Sequence, residues 1–291
     1  MIAYDGKRWI ALLFKIRGSV VPALAGRTVI AGALGGLAAW LYHQRGFHVP
    51  STAHTILGVA LGLLLVFRTN SSYDRFWEGR KLLGMMVNRA RDLMRQGLSY
   101  IEGDAAGARV HQLDLQRKIV VLYALIRQFL RDERDLSALG ATLTPGERAA
   151  LEPVQVRPTV AFTWISNLLA ACAREGRISE QRLMRMDGNL TSFSDSWGGA
   201  ERILKTPIPF AYAHHIKAFL VLFAFTAPFA MVDTMGWLTP AASAILAFAL
   251  FGIDEIGVEI EDPFGYDPND LPLDSVGERI TQDLADMTSS R

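Results

Sequence analysis

The residues that could do chemistry are few and do not converge. His214 and His215 are adjacent, so on a helix they point to different faces, and no third ligand stands at i+3 or i+4. Interfacial hydrogen bonding is the expected role for this pair. Asp254, Glu255, Glu259 and Asp262 form the densest set of carboxylates, and 255, 259 and 262 share a helix face. Their spacing matches no calcium loop. A Ser/His/Asp order, a glycine-rich phosphate loop and an HExxH pattern are all missing, so the chain is not expected to be an enzyme. The more informative pattern is apolar: Val59, Leu63 and Phe67 recur every four residues, and the same face runs on to Ser71 and Asp74. In a helical bundle this is a packing stripe. Repeated around a symmetry axis it is a hydrophobic constriction of the kind that gates or filters in a channel.

The elements that carry these residues are set by where charge is absent. The chain has 291 residues, of which 50% are hydrophobic and 20% charged, and its mean hydropathy is +0.19. Residues 47–67 and 234–253 are uncharged and long enough to cross a bilayer as helices, which takes roughly 20 apolar residues. The shorter runs 28–42 and 218–232 lie beside them and gain length at their ends. Four spans in two hairpins are expected, at 20–67 and 206–253. The segments before, between and after the hairpins hold 28 of the 30 Lys and Arg, which places them, and both termini, in the cytoplasm. No secretory signal is expected, since the first apolar run begins only at Thr28. The single cysteine, Cys172, excludes an intramolecular disulfide. Gly32 and Gly36, like Gly58 and Gly62, have the spacing of close helix contacts.

Residues 68–205 show apolar positions at helical spacing, for example Leu115, Ile119, Leu122 and Ile126, with breaks expected near 103–107, 144–146 and 153–158. Helices are expected over 159–174 and 179–190. No strand-like alternation persists, so the fold class is all-α. The tail, 254–291, holds eleven acids against two arginines, and residues 68–205 carry a net charge of +5. Either the tail wraps a basic helical body or some of its carboxylates face an ion pathway. The arginines are interleaved with acids on amphipathic helices, so nucleic acid is not an expected partner.

Three segments carry a resemblance: GVALGLLLVFRTNSSYDRFWEGRKLLG (58–84), ERILKTPIPFAY (201–212) and EIEDPFGYDPNDLPLD (259–274). They resemble the bestrophin family, in particular its bacterial branch, and with the four-span layout the resemblance covers nearly the whole chain. It implies a single unit of four transmembrane helices with a long helical cytoplasmic region, assembled as a homopentamer around a central pore. The narrow neck of that pore falls on Val59, Leu63 and Phe67. The polar vestibule after it falls on Asn70, Ser71 and Asp74. A cytoplasmic aperture aligns with Gln181, with Glu180 as its neighbour, where relatives usually place an isoleucine.

Animal members of the family are calcium-gated chloride channels with a calcium clasp at the segment matching 261–270. Asp262 here replaces an asparagine, and Tyr266, Pro268 and Asn269 interrupt the acidic run. That speaks against calcium activation and leaves only Asp262, Asp267 and Asp270 as metal candidates. No cofactor is expected. The resemblance implies a channel for monovalent ions in the cell inner membrane, with lipids and further copies of itself as partners. Bacterial relatives are described as preferring cations, and five acidic tails lining the path would favour the same sign. A chloride or anion channel is the alternative, and a secondary transporter a further one, although no broken helix pair marks a midplane site. An integral membrane enzyme using a metal on the 254–262 carboxylates is the weakest alternative.

Overall fold

The computed structural model describes residues 14–289 together with Asp5, Lys7, Arg8, Ile10 and Leu12. Nine α-helices follow in chain order among the described residues, with no strand: α1 Val21–Arg45, α2 Ser51–Tyr100, α3 Ala105–Leu130, α4 Pro145–Leu151, α5 Arg157–Arg174, α6 Glu180–Lys205, α7 Phe210–Met235, α8 Thr239–Glu261 and α9 Leu273–Ser289. Short 3₁₀ turns occupy Leu136–Thr142 and Gly236–Leu238. Three stretches are long and apolar enough to cross a membrane: α1, α2, and Phe210–Glu261, which comprises α7 and α8.

Local chemistry sets the ends. Pro22 lies in the first turn of α1, where its missing N–H costs nothing, and Gly46 at φ +65° ends the helix by donating its N–H to the Tyr42 carbonyl at 2.8 Å. Asp104 caps α3 by accepting from the Gly107 amide, and Ser179 caps α6. Thr144 and Glu147 form a reciprocal capping box on α4. The expected breaks at 103–107, 144–146 and 153–158 are therefore all present, the first two at the capped starts of α3 and α4. Helix α6 runs on to Lys205, well past the expected end near 190, because its apolar spacing continues through Phe193, Trp197, Ala200 and Ile203, all buried. Helix α8 also passes the expected boundary at Ile253 and carries Asp254, Glu255, Glu259 and Glu261 on its last two turns.

Two compact units are distinguished, Met1–Trp77 with Pro207–Asp270, and Glu78–Thr206 with Leu271–Arg291. In the first, α1 packs on α7 and α8, and Leu24, Leu61, Leu65, Ile216, Leu220 and Phe251 form a shared core with α2. Gly35 is the close-approach glycine of α1: a Cβ there would lie 2.8 Å from the Pro240 Cα and 2.9 Å from the Thr239 carbonyl oxygen. The expected pair needs correction. A Cβ on Gly32 would make ordinary 3.6 Å contacts, and one on Gly36 or Gly62 would meet nothing within 4 Å. Gly58 does face a neighbour, the Phe223 ring at 3.2 Å.

In the second unit α3 is central, with Leu115, Ile119, Leu122 and Ile126 buried, and packs on α5, α6 and α9. Helix α9 is tied to it by Asp274, which pairs with Arg127 and Arg131 at 2.6 Å each, and by the Tyr123 hydroxyl, which donates to the Leu273 carbonyl at 3.0 Å. Asp283 pairs with Arg91 of α2 at 2.5 Å.

Candidate functional site

Helix α2 is apolar on two faces. Leu61 and Leu65 are buried in the shared core, whereas Val59, Leu63 and Phe67 are 73%, 57% and 55% exposed. A row of large apolar side chains left open over three turns is a surface that water alone does not favour. Asn70, Ser71 and Asp74 continue it as exposed polar groups, so the stripe changes from apolar to polar within one turn of Phe67. In the second unit Glu180 and Gln181 are exposed in the first turn of α6. The turn before them is fixed by Gly176 at φ +71°, by a 2.9 Å hydrogen bond from the Glu102 amide to the Arg177 carbonyl, and by Arg177 on Asp104 and Glu175. Ile178 is buried in that turn.

A set of ion pairs near the charged ends of the apolar helices escaped the sequence reading. Arg68, one residue beyond Phe67, is 2% exposed and meets Glu261 of α8 at 2.5 Å. The other oxygen of Glu261 accepts from the Ile208 amide at 3.2 Å, and its backbone carbonyl accepts from Arg75 at 2.9 Å. Glu261 thus joins α2, α8 and the segment leading into α7. Lys217 pairs with the buried Asp254 at 3.2 Å, and Arg27 with Glu255 at 2.8 Å. Arg68 Nη1, Ser72 Oγ and Asp254 Oδ1 are buried without a partner among the described residues. Arg68 is legible as the first charge after an uncharged run. Its partner is not, because 193 residues separate them.

The turn after α8 folds around its own carboxylates. The Asp267 amide donates to Asp270 Oδ2 at 2.8 Å, and Gly265 is needed beneath it, since a Cβ there would lie 2.8 Å from the same oxygen. Asn269 donates to Glu259 at 2.9 Å and to the Gly18 carbonyl at 3.2 Å. Burial pushes the Asp270 carboxyl up to about 6. Among the described residues no three His, Cys, Asp or Glu gather as a metal site, in this turn or elsewhere. Phe264 and Leu271 are buried there, and the segment reads as a packed turn. His214 and His215 sit beside Phe210 and Phe219 respectively, away from any ligand cluster.

The family described as Bacterial/Fungal Bestrophin protein matches residues 1–286. A voltage-dependent anion channel-forming protein of Nostoc sp. is 37% identical over 284 residues, covering 97% of this chain and 92% of that protein. One of the same description from Synechocystis sp. is 37% identical over 281 residues, covering 96% and 91%. A crystal structure of a bacterial bestrophin homolog from Klebsiella pneumoniae matches with a TM-score of 0.84 at 27% identity, covering 91% of this chain and 98% of that one. By a match along almost its full length, and with an all-helical fold to agree, this chain belongs to the bacterial and fungal bestrophin family.

Proposed function

We propose that this protein is the subunit of an ion channel in the cell inner membrane, a homopentamer with four spans per subunit. The spans are α1, the first half of α2, α7 and α8, and both termini are cytoplasmic. Residues 68–205 and 254–291 make up its cytoplasmic part. The observation that carries the reading is the open apolar stripe of Val59, Leu63 and Phe67 on a helix whose opposite face buries Leu61 and Leu65. Set around an axis, five such stripes form a dewetting neck, Asn70, Ser71 and Asp74 its polar exit, and Gln181 with Glu180 the cytoplasmic aperture.

The ions it passes are monovalent anions. The names of the Nostoc and Synechocystis relatives support this sign. One ground for cations was the surplus of acids in the tail, and part of that surplus is taken up: Asp254, Glu255, Glu261, Asp274 and Asp283 each pair with a basic side chain within their own unit. No metal or other cofactor takes part. The test is the reversal potential of the purified protein in a planar bilayer under a potassium chloride gradient. A potential near that of chloride is expected; one near that of potassium restores the cation reading. Native mass spectrometry of the same sample tests the ring, and a monomer would sink the channel.

A further inference from the structure

The second unit carries a basic groove lined by none of the residues assigned to the neck, vestibule or aperture. It has a volume of about 460 Å³ and lies between the last turns of α2 and the middle of α6. Its floor is built around Asn189, which is 6% exposed. The Asn189 carbonyl oxygen accepts from Arg89 at 3.1 Å, and its amide donates to the Gln96 carbonyl oxygen at 3.3 Å. This leaves the Gln96 amide nitrogen turned outward as a donor. Asp92 stands between Arg89 at 3.6 Å and Arg95 at 3.3 Å, the one carboxylate in the groove. Arg185 lies one helical turn before Asn189 and is exposed. Among the described residues its guanidinium meets no partner.

Three guanidinium groups against one carboxylate give the groove two unbalanced positive charges. Planar guanidinium forks suit tetrahedral oxyanions, which accept several bonds at once, better than they suit a monovalent halide. The Gln96 amide and the Tyr100 hydroxyl at the rim add neutral donors. A Cβ on Gly188 would meet nothing within 4 Å, so the space over Asn189 is open. We propose that this groove binds a phosphate-bearing anion, either inorganic phosphate or pyrophosphate, or the phosphoryl groups of a soluble metabolite, with Arg89, Arg95 and Arg185 as its ligands.

Isothermal titration of the full-length protein in detergent micelles with pyrophosphate, at fixed ionic strength, tests this. Saturable binding is expected, weakened at least tenfold in Arg185→Ala and less in Arg185→Lys, with Arg202→Ala unchanged. Arg185 is exposed and unpartnered, so its loss leaves the fold intact, which circular dichroism checks. Adenosine triphosphate in place of pyrophosphate separates the sources: equal affinity points to the phosphate alone, and tighter binding to a nucleotide. Absence of saturable heat overturns the proposal, as does equal affinity in Arg185→Ala or the same heat from added potassium chloride. A change of oligomer mass in Arg185→Ala without pyrophosphate binding also overturns it and assigns the groove to a contact between copies.

Discussion

Replacing Arg68 by alanine isolates the energetics of the Glu261 junction. Arg68 is 2% exposed and Glu261 about one-fifth exposed, and they meet at 2.5 Å. Removing one partner of a buried pair costs about 3–5 kcal/mol, because the remaining charge is left without compensation. Here Glu261 keeps the Ile208 amide and some access to water, so the expected cost falls to about 2–4 kcal/mol. Replacing both partners, Arg68→Met with Glu261→Leu, removes both charges together. It should leave a deficit of about 1 kcal/mol, the worth of the acceptor lost to the Ile208 amide. The Arg75 bond survives, because it goes to the Glu261 backbone carbonyl. Equilibrium unfolding in detergent micelles, followed by tryptophan fluorescence, compares the two variants with the parent protein. The double variant should be more stable than Arg68→Ala. A cost below about 0.5 kcal/mol for Arg68→Ala would show that water screens the pair as it does at an exposed surface, and the reasoning would fail.

Further substitutions test the neck, the capping box and the helix contacts. Leu63→Ala widens the proposed constriction and should raise single-channel current severalfold in a planar bilayer; unchanged current would remove Leu63 from the ion path. The Arg117 guanidinium holds the Glu147 carboxyl down at about 2, with burial opposing and Thr144 and Lys118 assisting. A carboxyl lowered on folding stabilises fully above its unfolded value near 4.5, and the contribution is lost as pH falls from there towards 2. Glu147→Gln should therefore cost about 2 kcal/mol at pH 7, and thermal melts of the two proteins should converge near pH 2. Gly35→Ala places a methyl against the backbone of Thr239 and Pro240, which cannot turn aside, and should cost about 1–3 kcal/mol. Gly36→Ala meets open space and should be neutral or stabilise by up to about 1 kcal/mol. Melting temperatures that fail to separate the two glycine variants would refute the α1–α8 contact.

The glycines show where sequence reading reached its limit. Spacing singled out Gly32 and Gly36 of α1, but the close contact falls on Gly35, the residue just before Gly36. The contact is decided by where Pro240 lies on another helix. The charged tail shows the same limit. Counting revealed an excess of acids and, with it, a supposed preference for cations. Pairing within each unit, with Lys217, Arg27, Arg68 and Arg131, takes up part of that excess.

The helical class, the apolar stretches and the stripe of Val59, Leu63 and Phe67 are legible in the order of residues alone. Each of these is a local periodicity or a run of composition, written in residues a few positions apart. Helix packing leaves the stripe exposed while it buries Leu61 and Leu65, and it sets Arg68 against Glu261. It also gathers Arg89, Arg95 and Arg185 into one groove. Those outcomes join residues far apart in the chain, where partner choice is fixed by helix packing and no spacing rule records it.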